Sequence, residues 1–439
     1  MNNFTEKYRL GLRILLLVII FFIGVGQVSL NKERGEAVSL EQPAFRLSLS
    51  SLSGIYFSVG GKIRNLLCPL LILWAAGWIW DRRLRPKRTI LKVPLLVFMA
   101  VSLLAYFFSP LREISWAGGT RELLLGGFFF FAAAALLTTE RSQKIALATL
   151  FVAVVLSALA GIYLFSQHIC FPPTPHRIWL SFMHPNTTGS ALLLLIPLGV
   201  AMIMDRNPGW VKTVGVLITV ILTVAMVLTF SRTAWLSLLI AMAVLAFYWK
   251  GKYKFYFLTT LVLLAVLLIL GVNIGPQSYL KERVESFSAF KTDPNIHKRI
   301  IYWDGVTRMI GRRPILGYGP GHQVFMAAYE TWFKEVETGE KPVHAHNMYL
   351  SLAAATGIAG LGAFLWLLAA SFCALRTGRR TADNPFSRSF FRGMTAGLAG
   401  FLIGGLADNP FFSFRLVLVF WFLLALVVAR SSSQSSPEI

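Results

Sequence analysis

Residues 342–375 read PVHAHNMYLSLAAATGIAGLGAFLWLLAASFCAL and contain no Asp, Glu, Lys or Arg. A bilayer core takes about 20 apolar residues as a helix, so this stretch is long enough to span a membrane. Charge-free runs recur at 93–111, 123–139, 145–176, 178–204, 213–231 and 255–280. Backbone groups in lipid must be satisfied internally, which makes these runs helices. Strand-period alternation is absent, which argues against a membrane β-barrel. The expected spans are 14–30, 66–80, 93–108, 123–138, 145–166, 189–204, 213–229, 234–249, 255–273, 347–373, 393–407 and 414–429. The fold class is therefore an all-α polytopic membrane protein of about twelve transmembrane helices.

Composition agrees. Of 439 residues, 56% are hydrophobic and 14% charged, against roughly 25% charged in a soluble protein. The formal charge of +22 raises nucleic acid as a partner, but its distribution excludes that reading. With twelve spans and Met1 inside, the basic clusters at 7–13, 82–92, 141–144, 206–212, 250–254 and 376–392 all fall on one side. The short loops of the other side hold only Arg112, Arg121, Arg177, Arg232 and Arg415. This is the positive-inside pattern, with both termini cytoplasmic and anionic headgroups meeting the basic loops. The N-terminus has the outline of a signal peptide. No small-x-small cleavage site follows before Lys32, so a retained first helix is expected. Cys68, Cys170 and Cys373 are too widely spaced for a metal or disulfide framework; a Cys68–Cys170 bridge stays open as a minor alternative.

The chain divides into helices one to nine (1–273, with an outer loop near 31–65), a large outer loop (274–346), three further helices (347–430) and a short polar tail (431–439). Within the large loop, Ile296, Ile300, Trp303, Val306 and Ile310 recur at helical spacing beside Arg299, Asp304 and Arg308. This predicts an amphipathic surface helix. A turn-rich segment, 311–321, follows, and then a second helix over 322–337.

Three residues on the outer side stand out. His346 and Asn347 sit at the mouth of the long apolar run, where an enzyme acting on a lipid-linked substrate needs a proton acceptor. An imidazole, with its ordinary pKa near ~6.5, can take up a proton at neutral pH; the bland alternative is a structural hydrogen bond. Arg232 separates two apolar runs with almost no loop. It either snorkels to headgroups or binds phosphate, for which its planar, permanently charged fork is suited. Arg299 is weak alone and gains meaning by sharing a side with Arg232 and His346. Together the three suggest catalysis on an anionic lipid carrier.

Other signals are weaker. His344 lies two residues before His346; on a helix the two would face apart. No acid lies between Lys341 and Asp383, so no metal is expected. Asn186 or Thr187 caps the helix after His184, and a substrate-lining role for His184 and Asn186 is the functional alternative. Gly357, Gly360 and Gly362 are explained by close helix packing. The carboxylates Glu113, Glu122, Asp304 and Asp408 are further candidate bases or arginine partners, none ranked above His346. No phosphate-binding loop and no Asp-x-Asp pair is present.

The order Ser231-Arg232, Arg299-x-x-x-Trp303, Pro314-x-x-Gly317-x-Gly319, then His346-Asn347-x9-Gly357-x-x-Gly360 resembles the O-antigen ligase and polymerase superfamily. The ligase signature continues with small hydroxyl residues where this chain has Leu361-Gly362. The resemblance covers about 230–365. It implies a GT-C-like, metal-independent glycosyltransferase on the periplasmic face of the bacterial inner membrane, using no cofactor. The donor would be a glycan on undecaprenyl pyrophosphate and the acceptor lipid A–core. Arg232 and Arg299 would hold the pyrophosphate, with Trp303, Asn347, His184 and Asn186 nearby, and His346 would activate the acceptor hydroxyl with inversion. A polymerase or a protein O-oligosaccharyltransferase would share the donor. A lipid-linked glycan transporter is the alternative of another class, but no matched pair of broken helices supports it.

Overall fold

The computed structural model describes residues 2–25, 62–86, 88–166, 177, 178, 180, 182, 184–248, 294–334 and 342–433. Among these the chain is almost entirely helical. The helices are α1 (Asn2–Val25), α2 (Lys62–Ala76), α3 (Lys92–Phe107), α4 (Arg112–Gly118), α5 (Thr120–Leu136), α6 (Glu140–Ser166) and α7 (Pro185–Met204). They continue with α8 (Gly209–Leu228), α9 (Arg232–Ala246), α10 (Pro294–Arg312), α11 (His322–Trp332), α12 (Met348–Thr381), α13 (Pro385–Gly404) and α14 (Phe414–Ser433). Six are long and apolar enough to cross a membrane: α1, α6, α7, α8, α12 and α14. The apolar helices α2, α3 and α9 are shorter. The expected span at 255–273 and most of the 31–65 loop lie outside the described residues, and the helix expected over 322–337 stops at Trp332, with Phe333 as its C-terminal cap. The amphipathic α10 is found where the spacing predicts it. α14 runs on to Ser433, so the polar tail starts later than the composition implies. Cys68 and Cys373 are exposed; Cys170, and with it the Cys68–Cys170 alternative, lies outside the described residues.

The helices begin where their sequences supply caps. Asn384 accepts from the Ser387 amide with Pro385 at the first helical position, and Ser231 accepts from Ala234 to open α9. Small residues then set the packing. A Cβ on Gly393 or Gly397 would press on the backbone of α7 at Pro197–Leu198 and Leu193–Leu194, and one on Gly400 would meet Ser237 and Ala241 of α9. This face lets α13 lie against α7 and α9 at backbone distance. The apolar faces of α1, α5, α6 and α14 complete the core around Leu16, Ile19, Phe130, Val154 and Phe420.

One end of the bundle carries the polar cross-links of the basic loops. Arg392 pairs with Asp205 at the C-terminus of α7, Asn207 donates to Ser389, and Arg430 donates to Ser387. Following the antiparallel α7 and α13 to their opposite ends leads to the first residues of α7 and α12 and to the turn between α13 and α14. Helix α9 starts at that second end too: Gly189, in the first turn of α7, abuts Ala234 and Ser231. His184, Arg232, His346 and Asp408 thus share one end.

α12 is not a straight rod. Gly357 has φ 69° and ψ −176°, a conformation reserved almost wholly to glycine. Into the break fits the α10–α11 linker. The amide of Ile358 donates to Pro314 O (2.7 Å), and the amides of Tyr318 and Gly319 donate to Ala354 O and Ala355 O (both 2.9 Å). Packing of straight helices, the reading from sequence, is therefore corrected for Gly357, which opens a slot for another segment's backbone. A Cβ on Gly360 would strike Thr356 of its own helix, and Gly362 faces open space, so neither supports close packing with a neighbouring helix.

Candidate active site

The site is a turn on each side of a helix junction. Asn347 caps α12, its Oδ1 accepting from the amides of Tyr349 (2.9 Å) and Leu350 (3.0 Å). Its Nδ2 donates to Leu406 O (3.0 Å), the amide of Met348 donates to Gly405 O (2.7 Å), and the Tyr349 hydroxyl donates to Leu402 O (2.8 Å). These bonds fasten the start of α12 to the end of α13. The result brings the Asp408 carboxylate under the His346 ring: Oδ1 lies 3.7 Å from Nδ1. That is a charge contact, longer than a hydrogen bond. Asp408 is buried, and its Oδ1 also accepts from the Asn409 amide.

His346 itself sits at φ 47°, a conformation uncommon for a residue with a Cβ that persists only where the surrounding structure holds it. Its neighbours hold the turn. His344 Nδ1 accepts from the His346 amide (3.0 Å), and the two rings meet edge-on with centroids 4.3 Å apart. Tyr302 stacks on His346 at 6.5 Å, and Trp303 Nε1 donates to Ala345 O at 2.7 Å. His184 repeats the device, its Nδ1 accepting from the Asn186 amide at 3.2 Å to cap α7. Asn186 Oδ1 accepts from Arg177, which also donates to Thr229 O.

The charges settle accordingly. Burial lowers the His184 imidazole to about 4, with Asp408 opposing and Arg177 and His346 adding to the fall. Burial lowers His344 to about 3, reinforced by His346 and Arg299 and opposed by Asp408. Both are neutral at pH 7. Burial alone would raise Asp408, but the His346 imidazole and the neighbouring histidines more than offset it, and the carboxyl sits below its usual range. The pocket therefore presents one fixed negative charge, on Asp408, facing His346.

Of the residues singled out from sequence, His346, His344 and His184 come together around Asp408, and Arg299 is close enough to act electrostatically on His344. Arg232 opens α9 beside the first turn of α7. Trp303 and Asn347 are occupied in holding the His346 turn and its helix start, and Asn186 is tied to Arg177. Two premises from sequence need correction. His344 and His346 stand in a turn rather than a helix, so their rings face each other. The acid missing from 341–383 arrives from the α13–α14 turn as Asp408. Only its placement between two apolar runs, on the expected outer side, marked Asp408 in the sequence. A cavity of about 160 Å³ adjoins His344, lined by Phe98, Glu122, His322, Phe411 and Trp421 among others.

A buried carboxylate facing an imidazole can orient that ring and let it take up one proton. Residues 217–365 match the O-antigen ligase family model. The matched segment runs from α8 into α12 and takes in Arg232, Arg299, Trp303, His346, Asn347 and Gly357. His184 and Asp408 fall outside it. No curated protein matches the chain. The O-antigen ligase family implies a glycosyltransferase-like membrane enzyme working with lipid-linked glycan and acceptor substrates.

Proposed function

We propose that the chain is an O-antigen ligase, transferring a glycan from undecaprenyl pyrophosphate to lipid A–core at the periplasmic face of the inner membrane, without a metal. The observation that carries this reading is the buried carboxylate of Asp408 facing His346 Nδ1 at 3.7 Å. An Asp on that side favours the Nδ1–H tautomer and leaves Nε2 as the proton acceptor. The acceptor hydroxyl gives its proton to Nε2 while its oxygen bonds to the anomeric carbon. The bond from that carbon to the pyrophosphate oxygen breaks, and its electron pair leaves with the pyrophosphate. Arg232 and Arg299 stabilise the charge that builds there, as fixed cations in a poorly hydrated site do without reorganising. Attack opposite the leaving group inverts the anomeric centre.

The test is transfer in vitro with purified protein, lipid-linked glycan, lipid A–core and EDTA, beside His346→Ala. A glycan–lipid A product from wild type only, unchanged by EDTA, is expected. Normal product from His346→Ala would remove the base assignment. One observation favours a second reading: Leu361 and Gly362 replace the small hydroxyl residues of the ligase signature. A polymerase would lengthen the donor with no lipid A–core present.

A further inference from the structure

We infer that His344, His346 and Asp408 form a binding site for one divalent ion of the zinc class, and that Zn²⁺ bound there switches the enzyme off. Its inhibitory half rests on His346 being the base proposed above; the binding half does not.

Each of the three residues offers one ligand atom, and these atoms all lie within 4.8 Å of one another. Ligands around a single zinc stand about 2.0–2.2 Å from it, hence roughly 3–3.5 Å apart in a tetrahedral set. The His346–Asp408 separation of 3.7 Å is already near that spacing. His346 Nδ1 is buried and has no hydrogen-bond partner, so it points an unused nitrogen at the position an ion would take. His344 Nδ1 is committed to the His346 amide, and its second ring nitrogen is the one available to an ion. Tyr302 against His346 and Phe412 against His344 (centroids 5.4 Å apart) hold the two rings in place. Two imidazoles and one carboxylate select zinc, cobalt or nickel over magnesium or calcium, which prefer all-oxygen shells.

Inhibition follows from the tautomer. A neutral imidazole that binds an ion through Nδ1 carries its proton on Nε2. Nε2 then has no lone pair for the acceptor hydroxyl, and Asp408 is drawn to the ion.

The experiment uses the full chain in detergent, stripped with EDTA and titrated with Co²⁺ while visible absorption is followed. Wild type is expected to bind one Co²⁺, displaced by Zn²⁺ and not by Mg²⁺. His344→Gln and Asp408→Asn, checked for an unchanged melting temperature, are expected to bind more weakly by roughly 10–100-fold or more. A third variant, Cys373→Ser, removes an exposed thiol outside the site, keeps every ligand and should bind as wild type does. Absence of Co²⁺ binding, or equal binding by the ligand variants, overturns the site. In the transfer assay Zn²⁺ is expected to abolish product reversibly, with EDTA restoring it. Activation of the stripped enzyme by Zn²⁺ overturns the inhibitory half together with the metal-free base. Failure to transfer under every condition, with Co²⁺ still bound by wild type and lost in the ligand variants, refutes the proposed activity while the ion site stands.

Discussion

Asp408 lies on the turn between α13 and α14, yet its carboxylate faces the Nδ1 of His346 at the head of α12, 3.7 Å away. Three hydrogen bonds between the two segments keep it there, from the Met348 amide and the Asn347 and Tyr349 side chains to the carbonyls of Gly405, Leu406 and Leu402. In the proposed mechanism Asp408 touches no substrate; it selects the tautomer of His346 and stabilises the imidazolium. Asp408→Asn is therefore expected to lower kcat on the order of 10²–10⁴-fold, as expected for losing an orienting carboxylate or a general base. KM should stay near wild type, so that the loss is read in turnover and not in substrate binding. A fall in melting temperature with kcat unchanged for the protein that stays folded would show that Asp408 only holds the fold.

The break in α12 invites a paired test. Gly357→Ala forces a side chain into a glycine-only conformation, costing about 1–3 kcal/mol, and its Cβ would overlap the Ile315 carbonyl besides. Gly362 is helical with nothing near its missing Cβ, so Gly362→Ala should be neutral or stabilise by about 0.5–1 kcal/mol. The melting temperatures of the two variants should diverge in opposite directions. Equal shifts would mean that the 314–319 segment does not occupy the break.

Much of this architecture is legible in the sequence. Bilayer-length apolar runs announce α6, α7, α8 and α12, and the spacing of Ile296, Ile300 and Trp303 announces α10. Asn347 stands out in the sequence as a site residue, and the structure uses it as a helix cap. What stays hidden is tertiary. Nothing local to Asp408 says that it meets His346, because the meeting depends on α13 returning to the start of α12. The neutrality of His184 and His344 likewise depends on burial by segments far along the chain. The seven residues of α4 are too few for a periodic signal. The kink at Gly357 is invisible because the glycine that opens it looks like any small residue on a packed helix.

Trp303 reaches from α10 to the His346 turn through one bond, Nε1 to Ala345 O at 2.7 Å. Trp303→Phe keeps the ring's bulk and removes the donor, at a cost of about 0.5–1.5 kcal/mol. The turn that aims His346 should loosen, so kcat should drop while donor binding holds. Binding of a non-hydrolysable donor analogue separates the outcomes: lost affinity with unchanged kcat would make Trp303 a donor contact instead.

Acid should unfold this end of the bundle first. His184 and His344 are lowered by burial from 6.5 to about 4 and about 3. Below the ordinary histidine range the unfolded chain takes up protons that the folded chain refuses, so stability falls as pH drops from about 6.5 toward about 3. Asp408, held below its usual range, works in the same direction: its contribution is present above the ordinary carboxylate pKa and is lost as pH falls through the folded value. The combined loss is on the order of a few kcal/mol. Melting temperature in detergent should therefore decline steeply between pH 6.5 and 4, and His184→Asn, which keeps a capping acceptor without a titrating ring, should flatten part of that decline. A wild-type profile level across the same interval would mean that the two histidines are exposed enough to protonate in place, and with that the buried charge balance around His346 would be wrong.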